Sequence, residues 1–325
     1  MPILVTGATG FIGSHVVDAL LARGEQVRCL VRSHRRLRWL EGLDVEIFEG
    51  DCTRPETLGP AVQGANRVIH AAGATFAPSV AAFFSCNAAG TRNLLDACLA
   101  FGGVERFVLL SSQAAAGPGS RAHPAREGDP PRPLSPYGRS KLAAERHCLE
   151  VADRLSVGIL RPSAVYGPRD TGFLPYFRLV RRGFLIEFGA GEREISLCFV
   201  NDLVQGVVSL VDSHLASGSV YFIADSEPYS WAAVEQLLCA LWGVKGRRIV
   251  VPGVILKTAG VIGQVYGAVT GRPVPINRAR VAELLEKHWV CDSSAARRDL
   301  AFSPEINLEN GLNKAVRWYE QNNWL

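Results

Sequence analysis

Three glycines, each separated by two residues, lie between a short apolar stretch and a helical pattern near the start of the chain. Residues 3–5 are Ile-Leu-Val, residues 6–13 are Thr-Gly-Ala-Thr-Gly-Phe-Ile-Gly, and residues 14–23 have helical periodicity. Small residues let the backbone approach a pyrophosphate, and the N-terminus of the following helix stabilises negative charge. The pattern therefore predicts a dinucleotide site, rather than only a tight turn. Its predicted binding residues are Gly7, Thr9, Gly10, Phe11, Ile12 and Gly13.

Short apolar strands alternate with helices over the first half of the 325-residue chain. Strands are predicted at 3–5, 26–31, 45–48, 67–70, 106–110 and 157–160, and helices at 14–23, 55–62, 80–99 and 137–152. Continuous apolar strands between helices are typical of a parallel sheet covered on both faces, whose ligands bind beyond the carboxyl ends of the strands.

The strict alternation ends near residue 165, where longer loops and scattered aromatic residues begin. We interpret residues 1–168 as an NAD(P)-binding domain to which part of 196–225 returns. Residues 169–325 are interpreted as mainly a smaller, intertwined substrate-binding cap.

The end of the second strand indicates which dinucleotide is bound. Val31 and Arg32 stand where a carboxylate would bind the ribose 2′-hydroxyl, and a guanidinium suits a 2′-phosphate. The sequence thus favours NADP(H), with NAD(H) as the alternative. Arg32 also begins the basic run 32–38, which would otherwise be a solvated surface patch. Asp51 and Cys52 follow the third strand and are placed to meet the adenine ring, although a solvated turn aspartate is common there.

A phenol and an ammonium lie four residues apart in the segment Ser135-Pro-Tyr137-Gly-Arg-Ser-Lys141. Ser135 is a suitable N-cap and Pro136 suits the first helical position. Residues i and i+4 share a helix face, and a nearby cation lowers the pKa of a phenol. The pair could therefore exchange a proton with a substrate oxygen. Alone, the same spacing also fits an amphipathic helix with a half-buried tyrosine.

The order and spacing of seven motifs resemble those of the extended short-chain dehydrogenases/reductases, in the NAD(P)-dependent epimerase/dehydratase group. The motifs are 6–13, Gly50-Asp51, His70-Ala-Ala72, Asn87-Ala-Ala-Gly90-Thr91, Leu-Leu-Ser-Ser at 109–112, Tyr137-x-x-x-Lys141 and Leu-Arg-Pro-Ser-Ala-Val-Tyr-Gly-Pro at 160–168. The resemblance implies a Rossmann-type, doubly wound parallel α/β sheet. It also implies a homodimer that pairs helices 80–99 and 137–152 with their copies.

The same resemblance assigns roles to individual residues. Tyr137 would be the general acid/base, and Lys141 would hold the nicotinamide ribose and lower the pKa of Tyr137. Ser112, in preference to Ser111, would bind the substrate oxygen, unless its hydroxyl is only satisfied by backbone. The cofactor wall would be formed by Ala71, Ala72 and Pro162, oriented by Asn87.

Two departures from the family pattern narrow the range of reactions that we expect this chain to catalyse. Family dehydratases resemble one another in an Asp-Glu pair after the catalytic hydroxyl, where this chain has Gln113 and Ala114. Nucleotide-sugar enzymes usually carry a diphosphate-binding arginine where this chain has Ile195, although the nearby Arg193 could substitute. Sugar dehydration is therefore disfavoured, and a nucleotide-sugar reaction stays open.

Aromatic residues in the cap are either core or the walls of an apolar pocket. They are Phe173, Tyr176, Phe177, Phe184 and Phe188, with Leu174 among them. We therefore expect an NAD(P)-dependent oxidoreductase that interconverts a secondary alcohol and a ketone in a fairly apolar, sterol-, flavonoid- or lipid-like small molecule. A nucleotide-sugar epimerase with retained NAD is the alternative. A non-catalytic dinucleotide sensor is disfavoured by the presence of Tyr137 and Lys141.

Composition argues against several other classes. The net charge of +4 is spread along the chain, with no motif for nucleic acid. The eight cysteines lack Cys-x-x-Cys spacing and the seven histidines lack metal-ligand spacing, so we expect reduced thiols, a cytoplasmic protein and no metal. The apolar stretch 249–270 is interrupted by Pro252, Lys257 and Gln264. It predicts a core or pocket helix without stable membrane insertion, with docking on a membrane surface as the alternative.

Overall fold

The computed structural model of the chain describes residues 1–189, 191–270 and 276–325. The strands are β1 Ile3–Thr6, β2 Val27–Val31, β3 Glu46–Glu49, β4 Arg67–His70, β5 Arg106–Leu110, β6 Val157–Pro162, β7 Ala164–Tyr166, β8 Phe184–Phe188, β9 Glu194–Ile195, β10 Leu197–Phe199, β11 Ser219–Ile223, β12 Tyr229–Ser230, β13 Arg247–Val251 and β14 His288–Trp289. The α-helices are α1 Phe11–Ala22, α2 Gly59–Val62, α3 Val80–Phe83, α4 Gly90–Phe101, α5 Gln113–Ala116, α6 Pro136–Glu150, α7 Leu174–Arg181, α8 Val200–Asp212, α9 Trp231–Trp242, α10 Gly253–Thr270, α11 Arg278–Leu285, α12 Ser294–Leu300 and α13 Leu308–Gln321. Short 3₁₀ helices span His34–Arg36, Arg38–Leu40 and Pro55–Thr57.

Seven parallel strands form the central sheet in the order β11-β6-β5-β4-β1-β2-β3. This confirms the predicted Rossmann-type fold. The strand order reverses between β1 and β4, and such a reversal leaves a crevice at the carboxyl ends of the strands. Ser219 of β11 pairs with Gly158 of β6, so a strand from beyond residue 165 completes one edge of the sheet. The cap and the sheet are therefore intertwined.

Alternate residues of β1 face opposite layers of helices, and both faces are buried. Ile3 and Val5 pack with α1 and α8, whereas Leu4 packs with α2, α4 and α6. A strand buried on both sides must be apolar throughout, which explains the unbroken Ile-Leu-Val run.

The predicted helix 80–99 is present, but it changes pitch in the middle. α3 and α4 are joined by a π-helical segment, Phe84–Ala89. π-Helical turns commonly occur at functional sites. Asn87 lies in this segment and is 1% exposed.

The cap has its own core, formed by α7, α9 and α13. Leu174, Phe177 and Tyr319 belong to it, so two of the six aromatic and aliphatic residues considered for the pocket are core. Phe184, by contrast, is 38% exposed.

The apolar stretch 249–270 forms β13 and α10, and the expectation of a core or pocket helix is wrong for it. Leu256 is buried, but Val254, Ile262 and Val269 are exposed to solvent. Within the described ranges, no helix combines the length and the apolar character needed to cross a membrane.

Candidate active site

The glycine segment forms a tight turn between β1 and α1. Gly7 has φ +71°, and a Cβ there would lie 2.6 Å from the backbone nitrogen of Ala72. The Gly10 N–H donates to the Gly7 carbonyl oxygen at 2.9 Å, and Gly10 precedes the first turn of α1 without a capping side chain. The N–H groups of that turn, from Phe11 to Gly13, are therefore directed to the crevice. This geometry fits the pyrophosphate of a dinucleotide.

A chain of hydrogen bonds fixes the far wall of the crevice. The Ala72 N–H donates to Thr6 Oγ1 at 3.2 Å, and Thr6 Oγ1 lies 2.7 Å from His70 Nδ1. His70 Nε2 lies 3.0 Å from Thr91 Oγ1, which donates to the Asn87 carbonyl oxygen at 2.6 Å. Donors and acceptors alternate only if His70 carries its proton on Nε2. Burial, with a smaller effect of Lys141, lowers the pKa of His70 to about 3, so this ring is neutral.

His70 was noticed in the sequence only as part of a motif, and its role in this network was missed. The network holds the backbone of Ala71 and Ala72 against Gly7. The predicted cofactor wall is thus brought next to the glycine turn.

The fold also brings together the three residues expected near the adenosine end of the dinucleotide, which are Arg32, Asp51 and Cys52. Arg32 is exposed at the end of β2, and its charge acts on the thiols of Cys52 and Cys86. Asp51 Oδ1 accepts hydrogen bonds from Thr53 N–H and Oγ1 at 2.8 and 2.9 Å. Asp51 is therefore ordered within its own turn, and Arg32 is exposed at this end of the crevice.

α6 begins as its sequence predicts. The Gly138 N–H donates to Ser135 Oγ at 3.1 Å, and Pro136 occupies the first turn. A Cβ on Gly138 would collide with the Ala114 carbonyl and lie 3.1 Å from Pro133 Cβ. The glycine therefore allows α6 to approach α5, and this approach brings Tyr137 beside Ser112.

Tyr137 and Lys141 differ in their surroundings. Burial raises the pKa of the Tyr137 phenol, and a side-chain hydrogen bond with Ser112 opposes that rise. Lys141 Nζ donates to the Leu110 carbonyl oxygen at 2.5 Å, and burial lowers the pKa of Lys141 to about 8. We expected Lys141 to lower the pKa of Tyr137, but here the phenol is kept protonated by burial. A protonated phenol can donate to a ketone oxygen.

The neighbouring serines 111 and 112 point to different partners. Ser111 Oγ donates to Glu145 Oε1 at 2.5 Å, and Glu145 forms a buried ion pair with Arg161 at 2.7 Å. Ser112 caps α5, accepting from the Ala114 N–H at 3.1 Å, and lies on the cavity wall. Only Ser112 of the two is thus placed beside Tyr137.

The buried pair Glu145–Arg161 was missed in the sequence. Glu145 follows Lys141 by one helical turn and raises its pKa, opposing the larger effect of burial. The sequence shows that Glu145 lies four residues after Lys141 on the same helix. Its contact with Arg161 on β6 depends on the fold and could not be read from the sequence.

Asn87 ties the helix containing it to both sides of the site. Its Nδ2 donates to the Ala74 carbonyl oxygen at 3.0 Å and to Ser140 Oγ at 2.9 Å, and its Oδ1 accepts from the Ala74 N–H at 2.7 Å. Ser140 in turn donates to the Tyr137 carbonyl oxygen at 2.7 Å. Asn87 therefore orients the segment after Ala72 and the first turn of α6 together.

A cavity of about 360 Å³ adjoins Ser112 and Tyr137. Pro162 lies at the same edge, at the end of β6. The other walls are largely apolar and aromatic and come from the cap. They include Phe173, Tyr176, Ile186, Phe188, Ile195, Trp231, Leu284 and Trp289. Phe173, Tyr176 and Phe188 from the expected aromatic set therefore line the cavity.

Three polar side chains in this cavity wall have a buried atom without a partner among the described residues. They are Arg193, through Nε, Gln113, through Nε2, and Ser163, through Oγ. Gln113 is 4% exposed and Ser163 is 7% exposed. An unpaired buried polar atom is costly, so both can gain from hydrogen bonds to a bound molecule.

Arg193 lines the cavity, but it is engaged with backbone. Its Nη1 donates to the Leu284 and Glu286 carbonyl oxygens at 2.7 and 3.0 Å, and Nη2 donates to the Phe188 carbonyl oxygen. These bonds join β8 to the end of α11. The Arg193 guanidinium thus links β8 to the end of α11 within the cap.

The sheet, the glycine turn and the Ser112–Tyr137–Lys141 group define a dinucleotide-binding α/β enzyme. The NAD dependent epimerase/dehydratase family matches residues 3–224, and the chain is an enzyme that belongs to this family, the extended short-chain dehydrogenases/reductases.

Similarity to individual proteins extends over almost the whole chain. The chain is 29% identical to a ceramide reductase of Caulobacter vibrioides, over 99% of this chain and 96% of the relative. It is 30% identical to a 2-alkyl-3-oxoalkanoate reductase of Stenotrophomonas maltophilia, over 97% and 98%. The structure of MoeE5 in complex with UDP-glucuronic acid and NAD superimposes with a TM-score of 0.78 and 27% identity, over 99% and 100%. The relatives thus include reductases and a protein seen with a nucleotide sugar.

Proposed function

We propose that this enzyme is an NADP(H)-dependent oxidoreductase that interconverts a ketone and a secondary alcohol in a largely apolar small molecule. The observation that carries the proposal is the cavity beside Tyr137, whose cap walls are largely aromatic and aliphatic, although charged residues such as Arg193, Glu194 and Lys287 also line it. Pockets of this kind bind apolar ligands through a few placed polar groups. The reductase names of two relatives support the same class of reaction.

Each member of the catalytic group has a proposed task. When bound, the dinucleotide supplies or accepts a hydride. Tyr137 donates its phenolic proton to the ketone oxygen in reduction, and takes it back in oxidation. Ser112 hydrogen-bonds the same oxygen, and the Lys141 ammonium, held at the Leu110 carbonyl, binds the ribose of the cofactor. Gly7 to Gly13 bind the pyrophosphate.

Arg32 supports the choice of NADP(H). It is exposed beyond the end of β2, where no carboxylate stands to bind a ribose 2′-hydroxyl. A guanidinium forms strong, bidentate hydrogen bonds with phosphate. NAD(H) is the alternative.

The substrate itself is proposed to carry a second oxygen near the ketone. Gln113 and Ser163 both have an unpaired buried atom in the part of the wall beside Ser112 and Tyr137. A hydroxyl or carbonyl on the substrate would pair them, whereas a simple hydrocarbon chain would leave them unpaired. The oxoalkanoate named for one relative has two such oxygenated carbons.

The alternative function is epimerisation of a nucleotide sugar with retained NAD, as MoeE5 was seen with such a ligand. The engagement of Arg193 with three backbone carbonyls weakens it, because no terminal nitrogen of that side chain is left without a bond.

One set of assays separates the two functions. The purified protein is incubated with NADPH or NADH and 3-oxo fatty acyl or long-chain ketone substrates, and oxidation of the dinucleotide is followed by absorbance. Separate samples receive UDP-glucose, and the protein is denatured to measure any retained dinucleotide. Ketone-dependent NADPH oxidation supports the proposal. Interconversion of UDP-sugars with tightly retained NAD would replace it with the alternative.

The proposal also includes the domain boundaries of the chain and its oligomeric state. The substrate binds mainly in 169–325 and the dinucleotide in 1–168 with part of 196–225. We further propose a cytoplasmic homodimer built from helices 80–99 and 137–152. Arg92 of α4 reaches Glu150 of α6 at 2.9 Å, so the two helices already present one continuous surface within a chain. Analytical ultracentrifugation tests the dimer.

A further inference from the structure

One face of α10 is apolar and exposed along its whole length. Its exposed large residues are Val254, Ile255, Val261, Ile262, Val265, Tyr266 and Val269. At about 100° per residue, all seven fall within an arc of about 140° on one side of the helix, which they share with the exposed Thr258. We call these seven residues, with Ile249 and Val250 of β13, the docking face. Val269 is 81% exposed and Ile262 is 64% exposed.

The opposite side of α10 is packed against the protein. A Cβ on Gly260 would lie 2.9 Å from Val281 Cγ2, and one on Gly263 would collide with the Ile276 carbonyl. The glycines thus allow close contact between α10 and the start of α11, and Leu256 is buried on the same side. The orientation of the docking face is therefore fixed by packing on its reverse side.

The chain around the docking face is strongly basic. Residues 236–282 contain seven Lys and Arg residues and no Asp or Glu. Arg248 and Arg280 are paired with carboxylates from outside this segment, namely Glu187, Glu235 and Glu283. Lys257 is exposed on α10 itself, and Lys245 and Arg247 are exposed next to Ile249. An apolar helix face with basic neighbours is the pattern of a segment that lies in the interface of an anionic membrane.

We propose that the docking face binds peripherally to the surface of a membrane that contains anionic lipid. The positive charge around the docking face favours a membrane surface over a second copy of the chain as its binding partner. Two copies meeting face to face would bring like charges together, which is unfavourable, whereas lipid phosphates complement them.

The docking face is also continuous with the cavity wall. β13 pairs with β8, whose Ile186 and Phe188 line the cavity, and α10 packs on α11, whose Leu284 lines it too. Docking would therefore place the cavity one element away from the lipid, from which an apolar molecule could enter.

Co-sedimentation of the full chain with vesicles tests the proposal. One set of vesicles contains equal amounts of phosphatidylcholine and phosphatidylglycerol, and the other contains phosphatidylcholine alone. We expect binding to the first set, weaker binding to the second, and loss of binding at high salt. The double variant Ile262→Gln/Val265→Gln should reduce binding by about tenfold or more, because two exposed apolar side chains no longer enter the interface.

Phe101→Gln is the matched control, since Phe101 is a 52% exposed apolar residue at the end of α4, outside the segments 80–99 and 137–152 proposed for the dimer. It should bind vesicles as the unmodified protein does. The proposal is overturned if the unmodified protein binds neither set, or if the double variant binds equally well. If instead the double variant only converts a dimer to a monomer in sedimentation velocity, the face is an interface between copies. Vesicle binding and sedimentation velocity are measured without substrate, so their results do not depend on which reaction the enzyme catalyses.

Discussion

The ammonium nitrogen of Lys141 donates a hydrogen bond to the carbonyl oxygen of Leu110 at 2.5 Å. Leu110 ends β5, and Ser112 follows it by two residues, so this bond fixes α6 to the end of the strand that precedes Ser112. The distance between Ser112 and Tyr137 is therefore set by two contacts, this one and the close approach of Gly138 to Ala114. The two hydroxyl groups are thus held beside each other by contacts within the protein.

Replacement of Tyr137 by Phe removes the proposed proton donor and little else. We expect kcat for ketone reduction to fall about a hundred- to ten-thousandfold, the usual contribution of general acid catalysis. Dinucleotide binding, measured by fluorescence titration, should be retained. Tyr266→Phe alters an exposed tyrosine on α10 and serves as the matched control. Full activity in Tyr137→Phe would remove the phenol from the mechanism.

Titration of Lys141 should be visible in the stability of the protein. Its pKa is lowered by burial from 10.5 to about 8, so between these pH values the unfolded chain binds a proton that the folded protein has lost. Stability therefore rises with pH in that window, relative to a variant without the amine. The gain over Lys141→Met should reach no more than about 3 kcal/mol.

Urea unfolding of both proteins at several pH values measures this difference. Both proteins contain the same buried cysteines, so any contribution of those thiols to the pH dependence of stability cancels when the unmodified protein is compared with Lys141→Met. The expected difference is constant below pH 8 and grows above it. A constant difference across the whole range would mean that Lys141 titrates normally.

Sequence periodicity located six of the seven strands of the central sheet, because most of them are buried on both faces and largely apolar, whereas β11 was anticipated only as part of 196–225. It also located Ser135, Pro136 and Tyr137 at the start of a helix, since capping is a local property. The partners of His70 could not be found in this way. Thr6 is 64 residues away, and only the fold brings the two side chains to 2.7 Å.

Arg193 and α10 show a second limit of sequence reasoning. The arginine has suitable chemistry for a diphosphate, but two of its three carbonyl partners lie 91 and 93 residues along the chain. In α10, composition alone does not distinguish a core helix from an exposed one. The glycines at 260 and 263 determine which side packs, and that side carries few of the large residues.

Gln113→Leu should separate recognition of the second substrate oxygen from the chemistry. We expect kcat/KM for a 3-oxo substrate to fall about tenfold, the value of one lost hydrogen bond, while a simple ketone of equal length is unaffected. The free protein should become slightly more stable, because a buried unpaired amide is removed. Thermal unfolding and steady-state kinetics measure the two effects. An equal loss for both substrates would contradict the recognition role.

Arg32→Ser tests the dinucleotide preference. If the guanidinium binds a 2′-phosphate, the Kd for NADPH should rise about ten- to hundredfold, as expected for a charge-assisted hydrogen bond. The Kd for NADH should change little. Arg54→Ser, also at an exposed arginine, is the control. Equal effects on both dinucleotides would show that Arg32 belongs only to the solvated basic run.

Asn87→Ala should disturb the site through three polar groups that lose their partner. The N–H and carbonyl of Ala74 and the hydroxyl of Ser140 each bond to the Asn87 side chain. Leaving one such group unpaired costs about 1–3 kcal/mol, so we expect a comparable loss in the free energy of unfolding. Because the Ser140 hydroxyl also contacts the Tyr137 carbonyl, kcat should fall as well. Asn310→Ala, at an exposed asparagine in the first turn of α13, should change neither quantity. If Asn87→Ala loses stability but keeps full kcat, the residue supports the fold without orienting Tyr137.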